Sequence, residues 1–186
     1  MTVTDQNDQG DMFGQGVQAL QIRPLQYEEI DQAISLELAS YPAEAAASRE
    51  AFLYRLEHYP EWFWSAWSGE QLVGILNGVL TSEPHLGDEL KSAHEGAIQG
   101  NHLCILTVAV DPRKRREGIG SKLLQHVLDK SQYSALQSIV LMCEEELIPF
   151  YERAGFSLIG PSASQHGGLL WYEMSRPVHT MEHLTE

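Results

Sequence analysis

The chain has little that is basic and still less cysteine. Its 186 residues hold 12 Lys and Arg against 26 Asp and Glu, a formal charge of −14. Nucleic-acid binding needs clustered cations to replace the counterions on phosphates, so this balance argues against it. An acidic surface attracts cations, and an amine is a compatible substrate. Cysteine occurs twice, at Cys104 and Cys143. Two thiols make neither a disulfide framework nor a metal set. Both lie in apolar runs, so buried thiols in a reducing compartment are expected. The histidines show no metal spacing, and His179 and His183 form an incidental pair in a polar tail, so no metal is expected. No apolar run reaches the length of a membrane span. The opening MTVTDQNDQGDMFGQG has no basic segment followed by an apolar one, so it does not read as a signal peptide. These absences point to a cytoplasmic protein without a membrane partner, and they leave the oligomeric state open.

What is present is an ordinary globular composition, 43% hydrophobic, which excludes a disordered chain. The length suits one domain with its own core. Residues 1–18, rich in Asp, Gln and Gly, read as a flexible tail. The domain is expected over 19–176, with 177–186 as a second tail. A first strand is predicted at Leu20–Pro24. A helix follows at Tyr27–Ser40, with Ile30, Ile34 and Leu38 as its apolar face. Ser48 is the expected N-cap of a second helix ending before Pro60. Phe63–Trp67 and Gln71–Leu80 read as a hairpin closed by Ser68-Gly69-Glu70. A polar loop spans residues 81–100. Strands are expected at His102–Val110 and Ser138–Cys143, and helices at Gly118–Lys130 and Glu145–Arg153. Phe156–Ile159 and Leu169–Met174 are the closing strands. No internal repeat is visible. The order β-α-α-β-β-β-α-β-α-β-β predicts an α/β (α+β) mixed sheet with helices on both faces. Trp62, Trp64 and Trp67 read mostly as core.

The stretch Leu103–Leu124 runs strand, basic glycine turn, helix. Its turn, Arg115-Arg116-Glu117-Gly118-Ile119-Gly120, has the pattern R-x-x-G-x-G. Such a turn presents backbone N–H groups at a helix N-terminus, which suits a pyrophosphate. Glycine removes the Cβ that would hold phosphates away. The run Arg113-Lys114-Arg115-Arg116 supplies counter-charge in an otherwise acidic chain. A dinucleotide fingerprint needs G-x-G-x-x-G directly after a strand, and a P-loop needs Gly-Lys-Ser/Thr after its glycines. Neither is here.

This turn resembles the acyl-CoA motif of the GNAT superfamily of N-acetyltransferases. Pro149-Phe150-Tyr151-Glu152-Arg153-Ala154-Gly155-Phe156 is similar to that superfamily's F-Y-x-x-x-G-F signature. Val140–Glu145, Ile159-Gly160-Pro161, His166-Gly167-Gly168 and Tyr41–Ser48 further resemble the arylalkylamine (serotonin) N-acetyltransferase branch, in its non-vertebrate and microbial form. The likeness covers about residues 20–176. It implies a single-domain acyltransferase fold whose fourth and fifth strands splay apart around acetyl-CoA. It implies that Val108, Ala109 and Val110 contact the pantetheine and acetyl group. Arg115, Arg116, Glu117, Gly118, Ile119, Gly120 and Ser121 would surround the pyrophosphate. Tyr151 would protonate the departing sulfur. Pro42 and Glu44 would belong to a mobile wall over the amine, and Trp171 would pack against it. The resemblance breaks at one place. Vertebrate members carry two relay histidines on the fourth strand, where this chain has Cys104 and Leu106. Leucine accepts no proton, and a thiol near its ordinary pKa is a poor relay. His102, Cys104, Glu37 and Glu44 are the candidate acceptors, and His102 either reaches the channel or caps the strand. The implied reaction is acetyl transfer from acetyl-CoA to a small amine, an arylalkylamine first. A polyamine acetyltransferase and a catalytically weak CoA-binding regulatory module are the competing readings.

Overall fold

The computed structural model describes residues 19–84, 86–88 and 99–179. Most of the two expected tails and of the 81–100 loop lie outside them. Among the described residues a seven-stranded sheet runs in the order β1-β2-β3-β4-β5-β7-β6. Its strands are β1 (Leu20–Pro24), β2 (Phe63–Ser68), β3 (Gln71–Thr81), β4 (His102–Val110), β5 (Ser138–Cys143), β6 (Ser157–Pro161) and β7 (Tyr172–Pro177). The helices are α1 (Ile30–Ser40), α2 (Arg49–His58), α3 (Ile119–Ser131) and α4 (Ile148–Arg153). All pairs are antiparallel except β4 with β5. The expected α/β order holds throughout.

The central strands β2 and β3 are buried almost end to end because helices cover both faces. On one face Ile30, Ala33 and Leu36 of α1 and Phe52 and Leu56 of α2 pack on Phe63, Leu72, Ile75 and Ala109. On the other, Leu123, Leu124 and Val127 of α3 pack on Leu76, Leu103 and Ile139. Ser48 caps α2, accepting the Ala51 N–H at 3.2 Å. Trp62, Trp64 and Trp67 are all core.

Several boundaries differ from expectation. Tyr27–Glu29 is a 3₁₀ turn rather than the first turn of α1. Leu38, expected on the apolar face, is 55% exposed, and the buried stripe carries Ala33, Leu36 and Glu37. Steps of four residues overshoot a turn by about 40° each, so a strict four-residue spacing rotates off the core. The helix expected at Glu145–Arg153 is split into a 3₁₀ turn, Glu145–Leu147, and α4. Pro149 cannot donate to the carbonyl four residues back, which ends continuity there. β7 starts three residues later than expected, after a 3₁₀ turn at His166–Gly168. It also outlasts the expected domain end at 176: Val178 packs on the core and donates its N–H to Gln137 at 2.9 Å.

Two register features shape the centre of the sheet. Asn77 pairs Thr107 but Gly78 pairs Ile105, so Leu106 is an extra residue bulging out of β4. Beside this bulge β4 leaves β5: their pairing covers His102–Ile105 against Ser138–Leu141 and goes no further. The splay expected between the fourth and fifth strands therefore opens at Leu106.

Candidate functional site

The gap beyond Ile105 leads into two adjoining cavities. The larger is a groove of about 590 Å³. Val108, Ala109 and Val110 form one wall, and Phe150, Tyr151 and Arg153 another. Lys114, Arg115, Arg116, Gly118, Ile119, Gly120 and Ser121 form its far end. The smaller cavity, about 30 Å³, is lined by Glu37, Tyr41, Ala45, Leu106, Thr107, Met142 and Trp171 among others. Tyr41, Val108 and Tyr151 line both.

The far end of the groove is built by Asp111. Its buried carboxylate accepts the Arg113 backbone N–H at 2.9 Å and two Arg113 guanidinium contacts at 3.1 and 2.8 Å, and Gln71 at 3.1 Å. These bonds, the Arg113 side chain first, hold its pKa down to about 2. The chain then turns through two left-handed residues, Arg116 at φ 67° and Gly118 at φ 80°. A non-glycine residue costs about 1–2 kcal/mol there, and such strain clusters at functional sites. Gly118 is the N-cap of α3 and supplies no side-chain cap. The first N–H groups of α3 thus face the groove with no intrahelical acceptor and carry the positive end of the helix dipole. Three cations beside them and two glycines without Cβ suit a polyanion, and the narrow apolar wall along β4 suits a slender arm.

The wall along β4 has a defined polarity. Tyr41 donates its hydroxyl to the Val108 carbonyl at 2.9 Å, and Ser40 donates to the Val110 carbonyl at 3.3 Å. In a strand the N–H and C=O of one residue lie on the same edge. Val108 and Val110 therefore turn their N–H groups toward the gap as well. Desolvation and the Glu37 charge push the Tyr41 phenol well up. Tyr151 is also pushed far up, by burial first and then by Tyr41 and Cys143. It keeps its proton at neutral pH and is chemically a donor.

The smaller cavity is capped by chain segments tied to one another. His166 Nε2–H donates to Ala45 at 3.0 Å, and Trp171 Nε1–H donates to the His166 carbonyl at 2.8 Å. Gly167, at φ 62°, presses on Ala45, where a Cβ would sit 2.7 Å away. Ser164 and the Gln165 N–H bind the Asp88 carboxylate. Glu37, 3% exposed, reaches the cavity from α1. It accepts the Ala47 N–H at 3.2 Å and the Thr107 hydroxyl at 3.4 Å.

The expected site residues divide accordingly. Val108, Ala109, Val110, Arg115, Arg116, Gly118, Ile119, Gly120, Ser121 and Tyr151 come together at the groove, and Glu37 and Trp171 at the smaller cavity; Pro42, expected over the amine, lines the groove instead. Five expectations fall elsewhere. Glu117 is exposed and turns to Lys114 at 3.9 Å rather than into the groove. Arg113, expected among the counter-charges, is engaged by Asp111. Glu44 is exposed on the loop after α1 and lines neither cavity. His102 sits at the opposite end of β4 and contacts Ser138 Oγ through Nδ1 at 2.8 Å. Cys104 is buried at 1% exposure on the near side of the bulge, outside both cavities. Asp111, Thr107 and Arg55 were not anticipated, and Tyr41 only as the start of the Tyr41–Ser48 loop. A charged residue on the core stripe of α2, and an acid between a strand and a basic run, were the available signals.

Among the described residues no group of three or more His, Cys, Asp or Glu is placed to hold a metal ion. No helix among them is long and apolar enough to cross a membrane.

Known proteins are similar to this chain in sequence and fold. Residues 27–156 match the acetyltransferase (GNAT) family. Serotonin N-acetyltransferase of Mesocricetus auratus is 36% identical over 105 residues, 56% of this chain and 50% of that protein. The Homo sapiens enzyme of the same name is 35% identical over 104 residues, covering 55% and 49%. The chain spans about half the length of these curated relatives. Among solved structures, the loading GNATL domain of CurA from Lyngbya majuscula superposes with a TM-score of 0.74 at 14% identity, covering 86% of this chain and 98% of that one. A GNAT-like decarboxylase, GphF, in complex with isobutyryl-CoA gives 0.71 at 18%, covering 85% and 99%. These likenesses concern the fold.

Proposed function

The chain belongs to the acetyltransferase (GNAT) family, and from that premise we propose that it transfers acetyl from acetyl-CoA directly to a small primary amine, an arylalkylamine. The observation that carries this reading is the meeting of two cavities at Tyr41, Val108 and Tyr151. One suits a polyanion with a slender arm. The other pairs a carboxylate with an aromatic ring and apolar side chains. A polyamine would need carboxylates spaced along its length. Among the described residues Glu37 is the one acid lining the smaller cavity, beside Trp171, Met142 and Leu106, while Glu144 and Glu146 line the groove that would take the coenzyme; this favours a single cationic head on an apolar body.

Acetyl-CoA, when bound, supplies an activated thioester. Lys114, Arg115, Arg116 and the first N–H groups of α3 would hold its phosphates. The Val108 N–H faces the gap and would steady the carbonyl oxygen as charge gathers there. Glu37 would draw the ammonium into the smaller cavity and take up the proton the amine must lose before attack. Tyr151, kept protonated by burial, would deliver a proton to the leaving sulfur. Among the expected acceptors, Glu37 is favoured over His102 and Cys104 because it alone lines the amine cavity.

The test is thiol release from acetyl-CoA with tryptamine, serotonin, phenethylamine, spermidine and a lysine peptide. Release with the arylalkylamines is expected, with kcat lowered about 10²–10⁴-fold in Tyr151→Phe and acetyl-CoA affinity kept. Acetyl-CoA binding without release for any amine would overturn the reading in favour of a regulatory module.

A further inference from the structure

Arg55 is among the largest fully buried side chains of the described residues. It lies on the core face of α2, 1% exposed, with no outlet to solvent. A guanidinium is tolerated there only when its charge is compensated and its N–H groups are used. It donates to Asn77 Oδ1 at 3.1 Å. Burial pushes its pKa down to about 10, while the charge of Glu37, and then that of Cys104, pulls it back up. Asn77 stands opposite Thr107 in the β3–β4 register, beside the bulge, and Thr107 donates to Glu37. Arg55, Asn77, Thr107 and Glu37 thus join α2, β3, β4 and α1 under the smaller cavity. Arg55 lines neither cavity, so it acts through Glu37.

We propose that Arg55 is a positioning residue, the buried counter-charge that keeps Glu37 ionised and aimed into the amine cavity, and so makes the site select cationic amines. The amine role of Glu37 in this inference rests on the function proposed above; the coupling of the two charges does not. Among the described residues, the charged or titratable groups facing Glu37 are Arg55 from α2, Tyr41 at the end of α1 and Tyr151 of α4, while Cys104 of β4 lies beside Arg55. Of these, Arg55 alone is cationic. With Arg55 replaced by a neutral residue, Glu37 would be a buried carboxylate facing two phenols, and it would hold its proton at neutral pH. A protonated Glu37 attracts no ammonium and accepts no proton.

The direct readout is NMR titration of glutamate labelled at the δ-carbon, with the Glu37 signal assigned by its loss in Glu37→Gln. In Arg55→Met the Glu37 midpoint is expected to rise by about 1–3 pH units. Arg55→Lys should return most of that shift. The acidic limb of the kcat/KM profile should move up in step, with KM for the amine raised tenfold or more. An unmoved Glu37 midpoint in folded Arg55→Met overturns the proposal, as does a shift that lysine does not rescue. Should Arg55→Met fail to fold, the double variant Arg55→Met/Glu37→Gln decides. Recovery of a cooperative melt supports the coupling, and no recovery overturns it. If no amine is turned over by the wild type, the proposed function fails while the titration still reports on the pair.

Discussion

Gly78 sits where β3 faces the bulge of β4, and replacing it by alanine should cost more than any other single methyl at the sheet centre. An added Cβ would lie 2.5 Å from the Cys104 carbonyl oxygen, 3.0 Å from Leu103 Cδ1 and 3.2 Å from the Cys104 carbonyl carbon. Ordinary contact begins near 3.4 Å, so the strands must part by about 0.9 Å. The atom in the way is backbone in a ladder bonded on both sides, not the end of a side chain. Overpacking of this kind costs about 2–3 kcal/mol. For a chain of this size that lowers Tm by about 4–12 °C. Gly118→Ala is the control, because nothing lies within 4 Å of its added Cβ and only its φ of 80° resists. Left-handed strain of about 1–2 kcal/mol, offset in part by the stiffer unfolded chain, lowers Tm by about 6 °C at most. The assay is thermal unfolding of both variants beside the wild type, followed by titration with acetyl-CoA. Gly118→Ala should keep its fold and lose affinity, since its methyl enters the groove. If Gly78→Ala melts within about 2 °C of the wild type, or no lower than Gly118→Ala, the bulge is not held by the missing Cβ and the reasoning is wrong.

Asp111→Asn should uncouple the basic turn from the end of β4. The carboxyl is depressed from 3.8 to about 2 in the folded state. Its stabilising effect is therefore complete above about pH 4 and vanishes as pH falls toward 2. The difference in urea midpoint between wild type and Asp111→Asn is expected to be constant from pH 7 to 5 and to shrink steadily below pH 4; a gap that persists at pH 2 would refute this. Arg116→Gly should separate stability from binding. It relieves the strained φ of 67° and adds unfolded-chain entropy, leaving stability within about 1 kcal/mol. Acetyl-CoA affinity, measured by calorimetry at low salt, should still fall, and its salt dependence should weaken.

The element order was readable because each element carries its own signal. β1, β4 and β5 were bounded to the residue by polar turns on both sides. Ser48 announced α2 because an N-cap is local chemistry. The errors also have local causes. Pro149 was inside a stretch whose apolar spacing reads as one helix, and the missing N–H outweighed the spacing. Leu169–Trp171 has strand-like composition, but Trp171 turns out of the ladder, where its indole reaches the His166 carbonyl and its own carbonyl accepts the Ser162 N–H at 2.8 Å. The groove was legible for the same reason as the strands: the glycine turn and the F-Y-x-x-x-G-F stretch are contiguous. The smaller cavity was not. Glu37 and Tyr41 stand on α1 and its C-cap, Thr107 on β4 and Trp171 just before β7, and no spacing in the chain links these three segments.

The bulge explains why the proton acceptor was hardest to find. Reading β4 with period two puts Cys104, Leu106 and Val108 on one face and Thr107 on the other. In the structure Cys104 pairs Val79 and Thr107 pairs Asn77. Val79 and Asn77 are two apart on β3 and so share a face. Thr107 therefore joins Cys104 on the α1 side, where it meets Glu37. The extra residue that reverses the alternation, Leu106, gives no sign of it in β4. Its cause is on the next strand, where Gly78 lacks the Cβ that would keep the Cys104 carbonyl away. Leu106 and Cys104, which the resemblance matched to relay histidines, thus lie at the bulge and just before it. The acidic group that reaches the cavity comes instead from α1, carried by a helix face that also had to bury Arg55. A charge on that face looks like an error in an amphipathic helix until its counterpart on the next helix is known. On the proposal above, the buried charges of Arg55 and Glu37 act as a pair, and Glu37 opens on the site.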